Sequence, residues 1–330
     1  MITVGGFNTA LDKAMETPAL ALGAVNRVHD VRSEPGGKGV HVALAVAALG
    51  EPVQLVGFVD PRHHREVERF LSARGVTFHG LEIPGPLRTN LAIRDQGGTR
   101  ITEILEPGPE VTPPEQEAVC ALFLDLGRAS ALAVLAGSLP PGFGVQAYAR
   151  LVAALRASGT PEVSSGAPVG SRPRSQGGGG VRCLVDASGE LLREAVSARP
   201  YLVKPNREEG AALTGRVIDG PASAAAAARS LVERGVGVVF QSLGADGVVA
   251  TTPERVLHAR VAAARVENPV GSGDCLLGGV AVALVRGAGL EELVRLGVAC
   301  GAANAERRET GFLRREDVER LLPQVEVRTL

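Results

Sequence analysis

The chain has 330 residues, of which 45% are hydrophobic and 22% are charged, and its formal net charge is -1. This length and apolar content support a substantial core, in one large domain or two small ones. A nearly neutral chain lacks the basic field that collects nucleic acid, so we expect a small-molecule partner and no nucleic-acid partner.

Short aliphatic runs alternate along the chain with alanine-rich segments of helical period. The predicted strands are ITVGGF, VQLVGFV, ALAVLAG, RCLVDAS, YLVKPN and GVVFQSLG, which begin at residues 2, 53, 131, 182, 201 and 237. The predicted helices are VHVALAVAALG, EVERFLSARG, VQAYARLVAALRASG and AAAAARSLVERG, which begin at residues 40, 66, 145 and 224 and end at glycine. This alternation predicts an α/β fold with a mostly parallel sheet, whose ligands bind at the carboxyl ends of the strands.

Two stretches interrupt this alternation, at about residues 13–33 and 87–106. Both alternate polar and apolar residues, and the second contains a Gly-Gly turn, so we expect hairpin strands outside the main sheet that form a lid or a dimer surface. Residues 161–180 have no aromatic residue and end in four glycines, which predicts a disordered surface insertion within a single domain of residues 1–330.

The cysteines and the N-terminus give little sign of secretion. The four cysteines are widely separated: Cys120, Cys183, Cys275 and Cys300. This spacing favours neither a disulfide framework nor a zinc site. The segment MITVGGFNTA lacks the pattern of a signal peptide, and the apolar run of residues 275–285 is too short to span a bilayer. We therefore expect a cytoplasmic protein with no membrane partner.

The segment NPVGSGDCLLGG places Gly271, Ser272, Gly273 and Asp274 immediately before an apolar helical face. Free N–H groups at a helix start bind anions, and glycine lets the backbone approach a phosphate closely. The alternative is that Asp274 only caps the helix. Neither the dinucleotide-binding fingerprint nor the Walker A loop fits, because Leu276 replaces the third glycine and Gly39 follows Lys38.

Three further segments contain residues suited to phosphate chemistry. EPGGKGVHV, from Glu34, places Lys38 at a second glycine-rich helix start, where an anionic or hydroxyl-rich ligand fits; it can also be a simple turn. LVKPNREEG contains Asn206 and Glu209, whose oxygens can hold Mg²⁺ through water or cap a helix. SLGADGVV, from Ser242, is by itself only a tight connection between strands.

These four segments, in this order and spacing, resemble the pfkB (ribokinase-like) family of carbohydrate kinases. NTALD, LRTN, TEILEPGP and GSLPPG, which begin at residues 8, 87, 102 and 137, further resemble its branch of 1-phosphofructokinases and tagatose-6-phosphate kinases. The resemblance covers nearly the whole chain except the glycine-rich insertion. It implies a three-layer α/β/α fold with a small β-sheet lid, homodimers through that lid, and phosphorylation of a sugar phosphate by ATP with Mg²⁺.

The resemblance also implies residue roles. Asp274 matches the general base, and the backbone of Gly271, Ser272 and Gly273 matches the anion hole for the transferred phosphoryl group. The implied sugar-binding positions are Asp12, Gly36, Gly37, Lys38, Gly39, His41, Arg88, Asn90 and Ser138, with Lys38 and Arg88 on the phosphate that the substrate already carries. The implied ATP-binding positions are Lys204, Asn206, Ser242, Gly244, Ala245, Gly247 and Asn304, with Asn304 near adenine and Asn206 and Glu209 organising Mg²⁺ through water.

The chain departs from the family pattern at several positions. Ser272 and Cys275 are small replacements that leave the backbone geometry feasible. His41 and Leu105 stand where the branch usually has asparagine, so they bear on which sugar is bound. The leading expectation is a 1-phosphofructokinase; a tagatose-6-phosphate kinase and a 6-phosphofructokinase stay open, as does a catalytically silent sugar-phosphate-binding regulator.

Overall fold

A computed structural model describes residues 1–28, 30–95, 101–158, 180–262 and 265–330. The strands are β1 (Ile2–Gly5), β2 (Ala10–Thr17), β3 (Asp30–Gly36), β4 (Val53–Val59), β5 (Val76–Glu82), β6 (Arg88–Asp95), β7 (Ile101–Leu105), β8 (Leu132–Ala136), β9 (Cys183–Asp186), β10 (Leu202–Val203), β11 (Val238–Ser242), β12 (Val248–Thr251), β13 (Val256–Arg260) and β14 (Glu326–Thr329). The helices are α1 (Lys38–Ala48), α2 (His64–Ser72), α3 (Pro113–Arg128), α4 (Ala147–Ala157), α5 (Gly189–Ser197), α6 (Arg207–Thr214), α7 (Pro221–Glu233), α8 (Ser272–Val285), α9 (Leu290–Ala305) and α10 (Arg315–Leu321).

The main sheet has 10 strands in the order β14-β13-β12-β11-β10-β9-β8-β1-β4-β5. Every neighbouring pair from β5 to β11 is parallel, and β11 to β14 pair antiparallel. The mostly parallel sheet is therefore confirmed. Short turns join β11 to β12 and β12 to β13, and such turns fit antiparallel neighbours, whereas β14 reaches β13 only after α8, α9 and α10.

Helices cover both faces of this sheet. In β8, Leu132 and Val134 face an apolar cluster with α1, α8 and α9, whereas Ala133 and Leu135 face a second cluster with α3, α4 and α5. Successive side chains of a strand point to opposite faces, so a continuous apolar run such as LAVLA is buried on both. This arrangement gives the three layers expected from the sequence.

A separate 4-stranded sheet, called the small sheet below, has the order β3-β2-β6-β7. Its strands extend beyond the predicted ranges 13–33 and 87–106 at one end, because β2 begins at Ala10 and β3 continues to Gly36. Asp12 therefore lies on this sheet. The Gly97-Gly98 turn lies outside the described residues, and so does the predicted insertion at 161–180 except for Gly180.

None of the helices in the described part of the chain has the length and apolar character that a membrane span requires. The apolar helix α8 instead packs into the protein core, with Leu277, Val280 and Ala281 fully buried. Its sequence is hydrophobic on all sides because it contacts both α1 and α9.

The packing of α1 against the end of β1 yields a stability prediction. A methyl group on Gly39 would lie 2.4 Å from Cα of Gly6, so two backbone segments would have to separate. We expect Gly39→Ala to lower the free energy of unfolding by about 1–3 kcal/mol. Urea denaturation monitored by circular dichroism measures this loss. Gly144→Ala is the matched control, because nothing lies within 4 Å of its added methyl; equal midpoints for the two variants would contradict the prediction.

Candidate active site

A large cavity opens at the carboxyl ends of the parallel strands, between the main sheet and the small sheet. Its volume is about 1140 Å³. Pockets for a single drug-sized ligand occupy about 300–1,000 Å³, so this cavity lies at the large end for a ligand site. Its wall includes the starts of α1 and α8, the ends of β10 and β11, and strands β2 and β6.

The start of α8 presents backbone donors and a carboxylate to this cavity. Gly271 caps the helix in the left-handed region with φ 81°, and a methyl group there would lie 2.4 Å from the nitrogen of Gly311. Only glycine fits both constraints. The N–H groups of Gly271 and Gly273 donate to no acceptor among the described residues. Asp274 follows in the first turn, but its side chain makes no capping hydrogen bond. The Asp274 carboxylate contacts His41 instead, so helix capping alone does not describe it.

Two lysines share one buried carboxylate beside this turn. Asp186, at the end of β9, is fully buried, with Nζ of Lys38 3.1 Å from Oδ1 and Nζ of Lys204 3.1 Å from Oδ2. Burial opposes the charge on Asp186, but the two lysines outweigh it and lower the pKa of the carboxyl. Nζ of Lys204 also lies 3.0 Å from the position of a methyl on Gly273, so one ammonium is held against the start of α8.

His41 connects two further carboxylates. Its Nδ1 lies 2.9 Å from Oδ2 of Asp274, and its Nε2 lies 2.9 Å from Oδ2 of Asp12. Burial disfavours the charged imidazole, but hydrogen bonds and charge attraction from both carboxylates outweigh it and raise the pKa of His41 to about 10. The histidine was expected to meet a sugar hydroxyl; here both ring nitrogens are engaged by protein oxygens.

Asp12 and Arg88 are held on neighbouring strands of the small sheet. Oδ1 of Asp12 accepts from Nδ2 of Asn90 at 2.8 Å, and Oδ2 accepts from the Gly37 N–H at 3.2 Å. Arg88 is 9% exposed and donates from Nε to the carbonyl of Asn8 at 3.0 Å. Its guanidinium thus faces the cavity while its position is fixed by backbone.

The far end of the cavity is built from helix and turn backbone. Asn206 caps α6: its Oδ1 accepts from the Glu209 N–H at 2.8 Å, and Glu209 Oε2 accepts from the Asn206 N–H at 2.9 Å. The capping alternative thus describes this pair correctly. In the β11–β12 turn, Gly244 and Gly247 have φ 61° and 85°, values that favour glycine.

The sequence profile of the pfkB family carbohydrate kinases matches residues 3–316. The chain belongs to the pfkB family. It is therefore a carbohydrate kinase, and the ribokinase-like fold expected from its motifs is confirmed by solved relatives. The crystal structure of phosphofructokinase-2 from Escherichia coli in complex with substrates and products matches with a TM-score of 0.85 at 27% identity, over 98% of each chain.

Two curated relatives match nearly the full length of this kinase. The 1-phosphofructokinase of Rhodobacter capsulatus is 34% identical over 299 residues, which cover 90% of this chain and 88% of the relative. The tagatose-6-phosphate kinase of Staphylococcus epidermidis is 27% identical over 330 residues, which cover 99% of each chain. Both names lie in the branch that the sequence motifs resemble.

The cavity of this pfkB kinase brings together most of the residues singled out from the sequence. The predicted residues that line it are Asp12, Gly37, Lys38, His41, Arg88, Asn90, Ser138, Lys204, Asn206, Ser242, Gly244, Ala245, Gly247, Gly271, Ser272, Gly273 and Asp274. Gly36 and Gly39 lie behind this wall, where their missing side chains make room for Asp12 and Gly6. Glu209 likewise stays outside the lining and contacts the start of α6.

Asn304 differs from the expectation that it lies near adenine. It has no exposed surface, its Nδ2 donates to the Val270 carbonyl at 2.9 Å and to Ser272 Oγ at 3.0 Å, and its Oδ1 accepts from the Phe312 N–H at 2.9 Å. The hydrogen bonds of its amide thus stabilise the loop before Asp274. Gly301, Ala302 and Ala305, on the same helix, line the cavity instead.

Asp186 is the main residue that sequence reasoning missed. It ends the apolar strand CLVD, and a carboxylate with no exposed surface there must be neutralised by a cation. Two of the three lysines in the sequence, Lys38 and Lys204, had been singled out already. The sequence feature that could have identified Asp186 is a single acidic residue at the end of a buried strand, on the edge of the sheet where ligands bind.

The shared carboxylate yields a second stability prediction. We expect Asp186→Asn to lower the free energy of unfolding by about 3 kcal/mol or more, because it leaves Lys38 and Lys204 facing each other without a counter-charge. Urea midpoints measure the loss. Glu326→Gln makes the same acid-to-amide change in the exposed pair with Arg260 and should leave the midpoint unchanged. An Asp186→Asn midpoint equal to that control would contradict the prediction.

Proposed function

We propose that this kinase is a 1-phosphofructokinase, which transfers the γ-phosphoryl group of ATP to the C6 hydroxyl of fructose 1-phosphate. The observation that carries the proposal is the start of α8, where the Asp274 carboxylate stands beside unpaired N–H groups and the ammonium of Lys204. A base next to an anion site suits a reaction in which a hydroxyl attacks a charged phosphoryl group. The 1-phosphofructokinase of R. capsulatus, at 34% identity, supports the choice of sugar phosphate.

The proposed step assigns each group one task. Oδ1 of Asp274, which accepts no hydrogen bond from the described residues, takes the proton of the C6 hydroxyl. The hydroxyl oxygen bonds to the γ-phosphorus, and the bond from that phosphorus to the β–γ bridging oxygen breaks, so ADP leaves with the electron pair. The N–H groups of Gly271 and Gly273 and the Lys204 ammonium bind the equatorial oxygens, whose charge grows in the transition state.

Arg88 accounts for the preference for a sugar that already carries a phosphate, while Lys38 shares Asp186 with Lys204 beside the start of α8. Burial lowers the pKa of Arg88, while the charges of Asp12 and Glu106 oppose that shift. The pKa of Lys38 is raised: burial acts against its charge, but Asp186, Asp274 and Glu209 outweigh it. The fixed cation Arg88 would bind the phosphate of the sugar and disfavour an unphosphorylated sugar, which cannot pair with it. Asp12 and Asn90 are then the hydroxyl partners.

ATP is assigned to the end of the cavity formed by the start of α6 and the β11–β12 turn. Nucleotide contacts would come from Ser242, Gly244, Ala245 and Gly247, which line it. The donors present also fit Mg²⁺: Glu209 uses one carboxylate oxygen on the cap of α6, and no group of three acidic, histidine or cysteine ligands forms a cage within the described ranges. Asn206 and Glu209 would hold Mg²⁺ through water, and the ion would supply positive charge to the phosphates of ATP.

Tagatose-6-phosphate kinase is the second candidate, because the S. epidermidis relative with that name matches over the full length. The sugar end of the cavity carries the two departures from the branch pattern, His41 and Leu105, which both line it.

Homodimers through the small sheet also stay a prediction. Val31, Ile104 and Leu105 are 51%, 53% and 59% exposed there, which supports burial against a second copy.

The proposed function is tested by ADP release with MgATP and four acceptors: fructose 1-phosphate, fructose 6-phosphate, tagatose 6-phosphate and free fructose. We expect the highest kcat/KM with fructose 1-phosphate and the lowest with free fructose, because the latter has no phosphate for Arg88. A preference for tagatose 6-phosphate would select the second candidate. No turnover with any acceptor would support a silent binder.

We expect Asp274→Asn to lower kcat about 10³-fold or more, because the amide cannot accept the hydroxyl proton. The KM for the sugar phosphate should change little, since the amide keeps nearly the same shape. Steady-state ADP release measures both constants. Asp125→Asn is the control, because Asp125 is on the outer face of α3 with 77% of its side chain exposed. Near-normal turnover of Asp274→Asn would remove Asp274 as the base.

A further inference from the structure

The ring of His41 is enclosed by groups from every element around it. Asp12 of β2 and Asp274 of α8 contact its two nitrogens. Glu103 of β7 and Lys38 of α1 act on the same cluster through their charges. The ring also packs closely against Gly311, where an added methyl would lie 2.1 Å from Cγ of His41. Its orientation is therefore fixed by packing as well as by hydrogen bonds.

These contacts bear on how many hydrogens the His41 ring carries. A neutral imidazole carries one N–H, so it can donate to only one carboxylate and must turn a lone pair towards the other. Carboxylate oxygens lie 2.9 Å from both nitrogens, so a nitrogen without hydrogen would turn its lone pair towards a carboxylate, and hydrogen on both nitrogens removes that repulsion. The charged ring also separates two acids that would otherwise repel each other in a buried site.

We infer that His41 is a positioning residue of this kinase: as an imidazolium, it holds Oδ2 of the base Asp274 and Oδ2 of Asp12, so that Oδ1 of Asp274 is aimed at the acceptor hydroxyl. This inference rests on the proposed function, in which Asp274 is the base. The asparagine usual at this position in the branch cannot carry the charge or reach both acids in the same way. His41 thus gives this chain a charged link that its family pattern lacks.

The link also joins the two parts of the site. Asp12 belongs to the small sheet, whereas His41 and Asp274 belong to helices packed on the main sheet. Asn90 and the Gly37 N–H hold Asp12 from the other side. Asp12, assigned to the sugar, and Asp274, assigned to the proton, therefore share one cation. A change in the charge or position of either carboxylate alters the field at the other.

The charge state has a defined pH range. The pKa of His41 is raised to about 10, so the imidazolium is present at neutral pH and is lost only as the pH rises through that value. An ordinary histidine, with a pKa of about 6.5, is neutral at pH 8. His79 provides an internal reference, because burial lowers its pKa and it lies outside the cavity lining.

Nitrogen-15 NMR of the imidazole rings tests the charge directly in the wild-type protein. At pH 8 we expect both ring nitrogens of His41 to show the shifts of protonated nitrogen, while His79 shows one protonated and one unprotonated nitrogen. The His41 signals are assigned by their loss in His41→Gln or, if that variant does not fold, in His41→Asn. A neutral His41 at pH 8 would overturn the inference, whatever the enzyme's substrate.

Kinetics test the positioning role. At pH 8 we expect His41→Gln to lower kcat about 10²-fold with fructose 1-phosphate, because the base is no longer aimed. The KM for ATP should stay near its wild-type value. His79→Gln makes the same change away from the cavity and should keep wild-type constants. An active wild type with an unaffected His41→Gln kcat would refute the inference alone. A wild type that turns over no sugar phosphate would refute the proposed function instead, and the NMR result would still stand.

Discussion

The phosphate-binding end of the site depends on the neutralisation of one buried carboxylate. Asp186 has no contact with solvent, and its two oxygens hold the ammonium groups of Lys38 and Lys204. Two cations share one anion, so an excess of positive charge is left at the cavity wall beside the start of α8. Such a charge is arranged before substrate arrives and needs little reorganisation during phosphoryl transfer. Asp186 thus has a structural role: it fixes the positions of both ammonium groups.

The sugar end of the site has the opposite balance. There Asp12 and Asp274 share the cation His41, which leaves an excess of negative charge where we propose that the acceptor hydroxyl binds. A negative base facing a positive phosphate site favours proton transfer from a hydroxyl that attacks an anion. The cavity therefore separates two charge clusters, and α1 contributes one residue to each, Lys38 and His41. The spacing of these residues on the first turn of one helix fixes the distance between the clusters.

Much of the fold could be predicted because its elements carry strong local patterns. Strands such as VQLVGFV are buried on both faces, and the GSGD segment opens a helix as its glycines indicate. The antiparallel pairing of β13 and β14 was not predicted, since paired residues such as His258 and Arg328 are 70 positions apart and β14 shows no long apolar run. Element type is readable from periodicity, whereas edge pairing depends on tertiary contacts.

The residues of the candidate site were predicted better than the protein groups to which they are bonded. Asp274, His41 and Asp12 were each singled out, but the bond between His41 and Asp274 spans 233 positions and has no local signal. Asp186 was overlooked because one acid at a strand end looks like an ordinary turn residue. The partners of Asn304 were not predicted either: a polar residue on a helix can face a ligand or brace a neighbouring loop, and here its amide bonds within the protein.

A crystal structure with fructose 1-phosphate and a non-hydrolysable ATP analogue would test the central claim most directly, because it locates both substrates against these two charge clusters. The account predicts the C6 oxygen about 2.6–3.2 Å from Oδ1 of Asp274. It also places the γ-phosphate group against the Gly271 and Gly273 N–H groups, and the sugar phosphate beside Arg88. A C6 oxygen out of reach of Asp274, or a triphosphate bound away from the start of α8, would contradict it.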